Sequence, residues 1–460
     1  MSVASSIFKT FDIRGLYKKE LNPQTTVKLA KAYYKEFNPK KIVLGYDARE
    51  GSKPLAEVFM NTLMSLGVDV VDIGLVSTPR LYYASHKYSL PYGVMFTASH
   101  NPKEYTGVKF TVNALPPSED KLVTLKKLFI KEDASIPVSA KEKGTYEKKD
   151  ISNDYIQDIL SFHTYSFKPL KVIIDCGNSV NAPIVDKIFI PSLGLKEVQF
   201  IFKKVDSSFP SHGLNPKIEK NQKPLSEKIK KEKADLGVLW DGDADRVYFL
   251  DSSGKSISPQ FVSAIVASYM VSTDPKSRKT VTADIRAGRV IEEFVKKVGG
   301  KVKTIKAWHT EIKFAMQEDA DIIFGSETSG HYVFRDFFMI DDGLLMSLMF
   351  LQAVSYHKES LEQLLSTLRR VYFIPEEVNF KVPNVKEILS QVLYKYKSKG
   401  EVILIDGVTI KAKDWRFNIR PSRTEPLLRL NFSGLNLPQV KTEYKNLIDF
   451  LIQNKGEISK

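Results

Sequence analysis

One pattern constrains this chain more than any other: short apolar runs, ended by turn formers and separated by amphipathic segments, recur three times and then give way to a different texture. Asn22 and Pro23 supply a cap and first turn for VKLAKAYYKEF, and the strand-like KIVLGYD follows. A second helical segment, AEVFMNTLMSLG, precedes VDVVDIGLV. The next run, YGVMFTASHNP, ends in breaker residues that put its serine in a loop. The order returns after a charged, Gly-containing linker near 139–155, in KVIIDCGNS and ADLGVLWDGDADRVYFLD. It returns again beyond residue 257, in RVIEEFVKKVGG, KVKTIKAWH and ADIIFGSETSGH. Such alternation predicts α/β layering, although the three copies share too little identity to define a repeat. Beyond residue 367 the alternating VYFIPEEVNFKV, EVILIDGVTIKA and PLLRLNFSG, with the helical KEILSQVLYKYKSKG and KTEYKNLIDFLIQN, predict a smaller α+β domain. The expected domains are 1–147, 148–254, 255–366 and 367–460.

At 460 residues the chain exceeds one ordinary core, and 43% hydrophobic with 27% charged residues describes a globular protein. Cys176 is its only cysteine, which excludes an intramolecular disulfide and any multi-cysteine metal centre and fits a reducing interior. The N-terminus reaches charged residues before building a signal core, and FVSAIVASYMV is too short to cross a bilayer. The expectation is a soluble cytoplasmic protein, without a membrane partner, as a monomer or homodimer. The net charge of +14 is spread among glutamates in KKEKADLG, FVKKVGGKVK and YKYKSKGE, with no arginine-rich arm or aromatic RNA-binding motif. This argues for attraction of anionic substrates or simple solubility, and against specific nucleic-acid binding.

Asp241, Asp243 and Asp245 alternate in DGDADR between two apolar runs. An open turn would aim all three carboxylates at one point, and such a hard oxygen set suits magnesium better than zinc. Arg246 beside it can neutralise the non-bridging oxygens of a transferring phosphate. Two other readings stand: a hydrated acidic hairpin tip, and a phosphatase using an aspartate nucleophile. A calcium EF-hand loop does not fit, because Arg246 and Ser252 occupy the positions that need glycine and glutamate. Ser99 lies where a strand enters a turn, flanked by the hydrogen-bonding His100 and Asn101. A hydroxyl held against magnesium can receive a phosphoryl group and give it back to another hydroxyl, whereas a serine without such company is more often a cap.

With these residues in hand, the chain resembles the alpha-D-phosphohexomutase family, in particular its phosphomannomutase/phosphoglucomutase members. The likeness rests on FDIRG at 11–15, GYDAR at 45–49, TASHNP at 97–102, DGDADR at 241–246, SETSGH at 326–331 and RPSRTEP at 420–426, and spans nearly the whole chain. It implies a heart-shaped enzyme of three related mixed-sheet α/β domains and a smaller C-terminal α+β domain. The four would carry, in order, the phosphoserine, metal, sugar and phosphate loops. It further implies that Ser99 is the phosphoserine and that Asp241, Asp243, Asp245 and a phosphoserine oxygen hold Mg2+. The net reaction would interchange the 1- and 6-phosphates of hexose monophosphates, glucose and mannose, through a hexose 1,6-bisphosphate that is both intermediate and activator. Phosphoglucosamine mutase is the neighbouring alternative.

The resemblance carries further roles. Arg14 and Lys109 match the basic pair beside the phosphoserine, with Lys109 a candidate acid/base if burial depresses its pKa. His309, Glu327, Ser329 and His331 match the sugar-binding segments, where one carboxylate can take two neighbouring hydroxyls. Arg420, Ser422, Arg423, Thr424 and Arg429 offer charge and hydroxyl donors to the phosphate that is not reacting. Simpler readings accompany these: a helix cap or turn at Ser326 and Glu327, a loop histidine at 309, a buried structural cluster around Arg420. Thr106, Trp308, Arg423 and Ser433 depart from the usual pattern and bear on substrate choice more than on reaction class.

Overall fold

The first apolar run, Lys41–Tyr46, sits at the centre of a mixed sheet, as an almost wholly buried strand between two α/β crossovers should. The computed structural model describes residues 6–9, 12–132, 140, 142–189, 193–422, 427–454 and 456–459. They cluster as two compact units, Met1–Ser256 with Ile340–Gln352, and Ile257–Met339 with Ala353–Lys460.

The first unit begins with β1 (Ile13–Leu16), α1 (Pro23–Phe37), β2 (Lys41–Tyr46), α2 (Ser52–Ser65), β3 (Asp69–Leu75), α3 (Thr78–Lys87), β4 (Tyr92–Phe96), β5 (Tyr105–Val112), α4 (Glu119–Lys131) and β6 (Tyr146–Lys148). Their sheet runs β1-β5-β4-β2-β3-β6. Its β4-β2-β3-β6 stretch is parallel, while β1 and β5 add an antiparallel edge. Helix α1 starts as Asn22 and Pro23 dictate: the Asn22 side chain accepts from the Thr25 N–H, and the Thr25 hydroxyl reciprocates at the Asn22 N–H. Its buried face, with Leu29 and Tyr33, packs on Phe59, Phe96 and Phe110.

The same plan returns in α5 (Ser152–Leu160), β7 (Lys171–Asp175), α6 (Val185–Ile188), β8 (Glu197–Ile201), α7 (Glu219–Glu232), β9 (Leu236–Trp240) and β10 (Val247–Asp251), whose sheet is β10-β9-β7-β8. Again the interior pairs are parallel and the β10 edge antiparallel.

The second unit contains α8 (Pro259–Thr273), β11 (Thr280–Asp284), α9 (Arg289–Lys297), β12 (Lys301–Ile305), α10 (His309–Glu318), β13 (Ile322–Ser326) and β14 (Tyr332–Phe334). Strands β12-β11-β13 are parallel and β14 is antiparallel. The third copy thus repeats the plan of parallel interior and antiparallel edge. The span Ile340–Gln352 returns to the first unit, bringing β15 (Ile340–Asp341) and the start of α11 (Gly343–Tyr356). After α12 (Leu361–Val371) come β16 (Tyr372–Phe373), β17 (Val378–Lys381), α13 (Val385–Tyr396), β18 (Glu401–Ile403), β19 (Val408–Lys411), β20 (Trp415–Pro421), β21 (Leu428–Leu435), α14 (Pro438–Gln453) and β22 (Glu457–Ser459). This last sheet runs β18-β19-β20-β21-β17-β22, antiparallel throughout, with α13 and α14 closing its core around Tyr396, Phe417 and Leu447. The chain is therefore three mixed α/β layers followed by a C-terminal α+β layer. Among the described residues no helix is long and apolar enough to cross a membrane.

Candidate active site

Strands β9 and β10 pair with Val247 opposite Trp240, so the hairpin loop between them is 241–246. The Asp241 N–H donates to the Arg246 carbonyl, and Ala244 takes a left-handed φ of 59° within the turn. Carboxylate oxygens of Asp241, Asp243 and Asp245 lie within 4.8 Å of one another, and all three residues are buried. A hydrated hairpin tip is thereby excluded. Burial, then the neighbouring Asp245 and Asp243, push the Asp241 pKa well above the usual carboxylate range, against the counter-charge of Arg246 and Lys109. Lys109 supplies part of that charge, its Nζ lying 2.7 Å from Asp243 Oδ2 and 2.6 Å from Asp245 Oδ2, and the Thr78 hydroxyl also donates to Asp243. The second oxygen of Asp243 is buried and accepts no hydrogen bond among the described residues. A divalent cation fits this set: it offers an orphaned hard oxygen a partner and relieves the repulsion that burial intensifies.

Ser99 presents itself to this cluster. Its Oγ donates to Asp241 Oδ2 at 2.9 Å and lies 3.0 Å from His100 Nδ1. Arg246, and then burial, lower the His100 pKa well below its ordinary value, so the imidazole stays neutral beside the hydroxyl. Arg14 donates to Asp12 and, through Nη1, to Asn101 Oδ1 at 2.6 Å and the Ala98 carbonyl at 3.3 Å. Arg246 Nε stands 3.9 Å from carboxylate oxygens of both Asp241 and Asp245. For Lys109, burial acts to lower the pKa but Asp243 and Asp245 outweigh it, and the net shift is upward.

In the second unit, Glu327 and His331 bracket the tight β13–β14 turn, with the Glu327 N–H donating to the His331 carbonyl and Gly330 at φ 92°. His309 opens α10, and its ring stacks on that of His331 with centroids 4.3 Å apart and planes 10° from parallel. Ser329 lies half-buried in the turn. Arg420 and Arg429 face each other across β20 and β21 in register. Arg420 is buried, its Nε without a hydrogen bond among the described residues, while Arg429 lies 3.7 Å from Glu377. Burial and then Arg286 lower the Arg420 pKa. Like charges directly opposite on paired strands repel, and Glu377 offsets part of that repulsion here. The Ser422 N–H donates to the Leu427 carbonyl at the end of the same hairpin; Arg423 and Thr424 lie outside the described residues.

Several contributors carry little signal in the sequence. Arg286 donates to Glu327 and to Asp284, and Asp284 also accepts from the Thr328 N–H, so the end of β11 holds the Glu327 turn. Thr78, the first residue of α3, reaches Asp243 across 165 residues. Arg49 donates to four main-chain carbonyls around Ser99. Only Arg49 lies in a motif singled out above, GYDAR.

Three mixed α/β layers, a C-terminal α+β layer and a buried, cation-compatible acidic turn beside a serine define the class of this molecule. Comparison with known proteins places it further. Residues 5–135, 153–254 and 258–372 match the family models for phosphoglucomutase/phosphomannomutase alpha/beta/alpha domains I, II and III, respectively. The chain is 31% identical over 435 residues to a phosphomannomutase of Vibrio cholerae, covering 92% of this chain and 93% of the relative. It is 32% identical over 449 residues to a phosphomannomutase of Methanocaldococcus jannaschii, covering 96% and 97%. A crystal structure of a phosphoglucomutase/phosphomannomutase family protein from Burkholderia thailandensis superimposes with a TM-score of 0.86 at 25% identity, covering 100% of this chain and 99% of that one. The chain belongs to the phosphoglucomutase/phosphomannomutase family of alpha-D-phosphohexomutases, enzymes of reversible intramolecular phosphoryl transfer.

Proposed function

We propose that this enzyme interchanges the 1- and 6-phosphates of glucose and mannose, with Ser99 as the phosphoryl carrier and a hexose 1,6-bisphosphate as the intermediate. The observation that carries the reading is the Ser99 hydroxyl 2.9 Å from Asp241, in a cluster of three buried carboxylates. Asp241, Asp243 and Asp245 would hold Mg2+, which when bound supplies Lewis-acid stabilisation of phosphoryl oxygens. The chain's own groups do the rest. Phosphate on Ser99 passes to the free hydroxyl of a hexose monophosphate, and the serine oxygen takes back the other phosphate after the sugar turns. Arg14, Lys109 and Arg246 screen charge on the phosphoryl oxygens. His100, whose Nδ1 lies 3.0 Å from Oγ, hydrogen-bonds the Ser99 hydroxyl when that hydroxyl is free.

Glu327, held by Arg286, takes two adjacent sugar hydroxyls, with Ser329, His309 and His331 completing the contact. A carboxylate that reads hydroxyls rather than phosphate serves either orientation of the sugar. Arg420 and Arg429, with Ser422, Arg423 and Thr424, take the phosphate at the far end. In this reading the functional domains are 1–147, 148–254, 255–366 and 367–460, and the reaction runs in the cytoplasm.

Side-by-side turnover of glucose 1-phosphate, mannose 1-phosphate and glucosamine 1-phosphate, with Mg2+ and catalytic glucose 1,6-bisphosphate, tests the substrate. Efficient turnover of only the amino sugar would reject it in favour of a phosphoglucosamine mutase. Intact-mass and peptide analysis after brief reaction tests the carrier. Phosphate on Asp241, with inorganic phosphate accumulating, would indicate an aspartyl phosphatase instead.

A further inference from the structure

Among the described residues, no hydrogen bond joins the Asp47–Arg49 pair to the carboxylates of the acidic turn. Both side chains are essentially sealed from solvent. Every polar partner of the Arg49 guanidinium is accounted for. Nε faces Asp47 at 3.2 Å; Nη1 donates to the carbonyls of Pro102 at 2.7 Å and Tyr105 at 2.9 Å; Nη2 donates to those of Ser99 at 2.6 Å and Asn101 at 2.7 Å. One side chain thus holds the whole backbone course from Ser99 to Tyr105.

The other main-chain group of Ser99 is held as well: its N–H donates to the Thr97 hydroxyl at 2.9 Å. The Asp47 carboxylate also accepts from the Ser52 hydroxyl and the Arg49 N–H. Both main-chain polar groups of Ser99 are therefore held by side chains, the carbonyl by Arg49 and the N–H by Thr97. Its carbonyl is hemmed in as well: a Cβ on Gly242, within the acidic turn, would stand 2.5 Å from it.

These ties act on a residue that resists its own conformation. Ser99 has φ 51°, a left-handed geometry that costs a residue with a Cβ free energy and persists only where its surroundings impose it. We propose that Asp47, Arg49 and Thr97 form a positioning device, which holds Ser99 left-handed so that its Oγ meets the Asp241 carboxylate. The proposal rests on Ser99 being the phosphoryl carrier. A displacement of about 1 Å at a reacting atom can cost on the order of a hundredfold in rate without weakening substrate binding.

The test is Arg49→Lys, whose ammonium is a single donor point and cannot serve four separated carbonyls. It is paired with the isosteric Thr97→Val and its conservative partner Thr97→Ser. For each, the rate of Ser99 phosphorylation by glucose 1,6-bisphosphate is followed by intact mass, together with kcat and KM for glucose 1-phosphate. Arg49→Lys is expected to slow phosphorylation and kcat by about a hundredfold while KM stays within about threefold. Thr97→Val is expected to lose roughly tenfold in kcat, the scale of one neutral hydrogen bond, and Thr97→Ser to restore it. If Arg49→Lys does not fold, the Thr97 series decides alone. Wild-type kcat in Thr97→Val, or a loss in KM rather than kcat, would overturn the proposal. No phosphate on Ser99 of the wild-type enzyme would instead remove the carrier reading, and the device with it.

Discussion

A buried serine in a left-handed conformation, its Oγ donating to one of three clustered carboxylates, has few structural reasons to be there. Its consequence is direct: Ser99→Ala removes the one oxygen at that position able to carry phosphate, yet leaves the acidic turn and its supports in place. Steady mutase turnover is expected to fall by roughly a thousandfold or more. Coupled assay of folded, Mg2+-loaded protein checks this, and near-wild-type turnover would contradict the phosphoserine cycle. Arg420→Ala should behave differently, because it deletes a charge-assisted contact to the non-reacting phosphate, a class of interaction of about 1.5 to 3 kcal/mol. KM for glucose 1-phosphate is expected to rise about 10- to 150-fold. Escape of glucose 1,6-bisphosphate into solution, measured by phosphate-sensitive chromatography, should accompany it. At this scale the sequence was unevenly legible. Three aspartates at alternate positions between apolar runs announce themselves, since one open hairpin brings them together. The roles of Arg49, Thr78 and Arg286 did not: Arg49 acts on main-chain carbonyls some 50 residues away, and carbonyls leave no mark on a sequence.

Among the elements, α11 shows how a helix can be both plain in the structure and silent in the pattern. Leu344, Leu345, Leu348, Phe350 and Leu351 are buried round its circumference, so no polar face marks a 3.6-residue period. The amphipathic α9, with Val290, Ile291 and Val295 inward, was readable for the opposite reason. The three-residue β14, by contrast, is too short to show a period at all. Helix α11 is started by Asp342, whose Oδ1 accepts from the Leu344 and Leu345 N–H groups and whose Oδ2 accepts from the Tyr155 hydroxyl. Burial pushes the Asp342 pKa up to about 6, although those same donors pull against it. A carboxyl whose folded pKa lies above its unfolded value holds its proton longer in the folded state. Its stabilising contribution is complete below about pH 4 and is lost as pH rises to about 6, a change of about 3 kcal/mol. Asp342→Asn keeps an oxygen for the helix N–H groups and does not titrate. In urea melts between pH 4 and 7 the wild type should lose stability relative to this variant as pH rises. A constant difference across that range would contradict the assignment.

For the molecule as a whole, the threefold return of one layer plan was visible in the sequence because parallel interior strands read as unbroken apolar runs. The C-terminal sheet was visible because its strands alternate. What no periodicity reveals is register, and register is what sets Arg420 against Arg429 across β20 and β21. A phosphate taken by that pair, as proposed above, would be a component of the fold as well as a substrate group. Without one, Glu377 offsets part of the repulsion between the two guanidiniums; with one, the anion would bridge both. Binding free energy and folding free energy are then linked, and any phosphate that enters should raise the melting temperature in proportion to its occupancy. At a hundredfold excess over Kd the gain is about 2.7 kcal/mol. Inorganic phosphate titrated against thermal unfolding is expected to show it in the wild type and to lose most of it in Arg420→Ala. An equal shift in both proteins would mean that phosphate acts elsewhere. The enzyme would then be most robust when its phosphorylated substrates are plentiful, its resistance to unfolding following the same metabolite supply that sets its turnover.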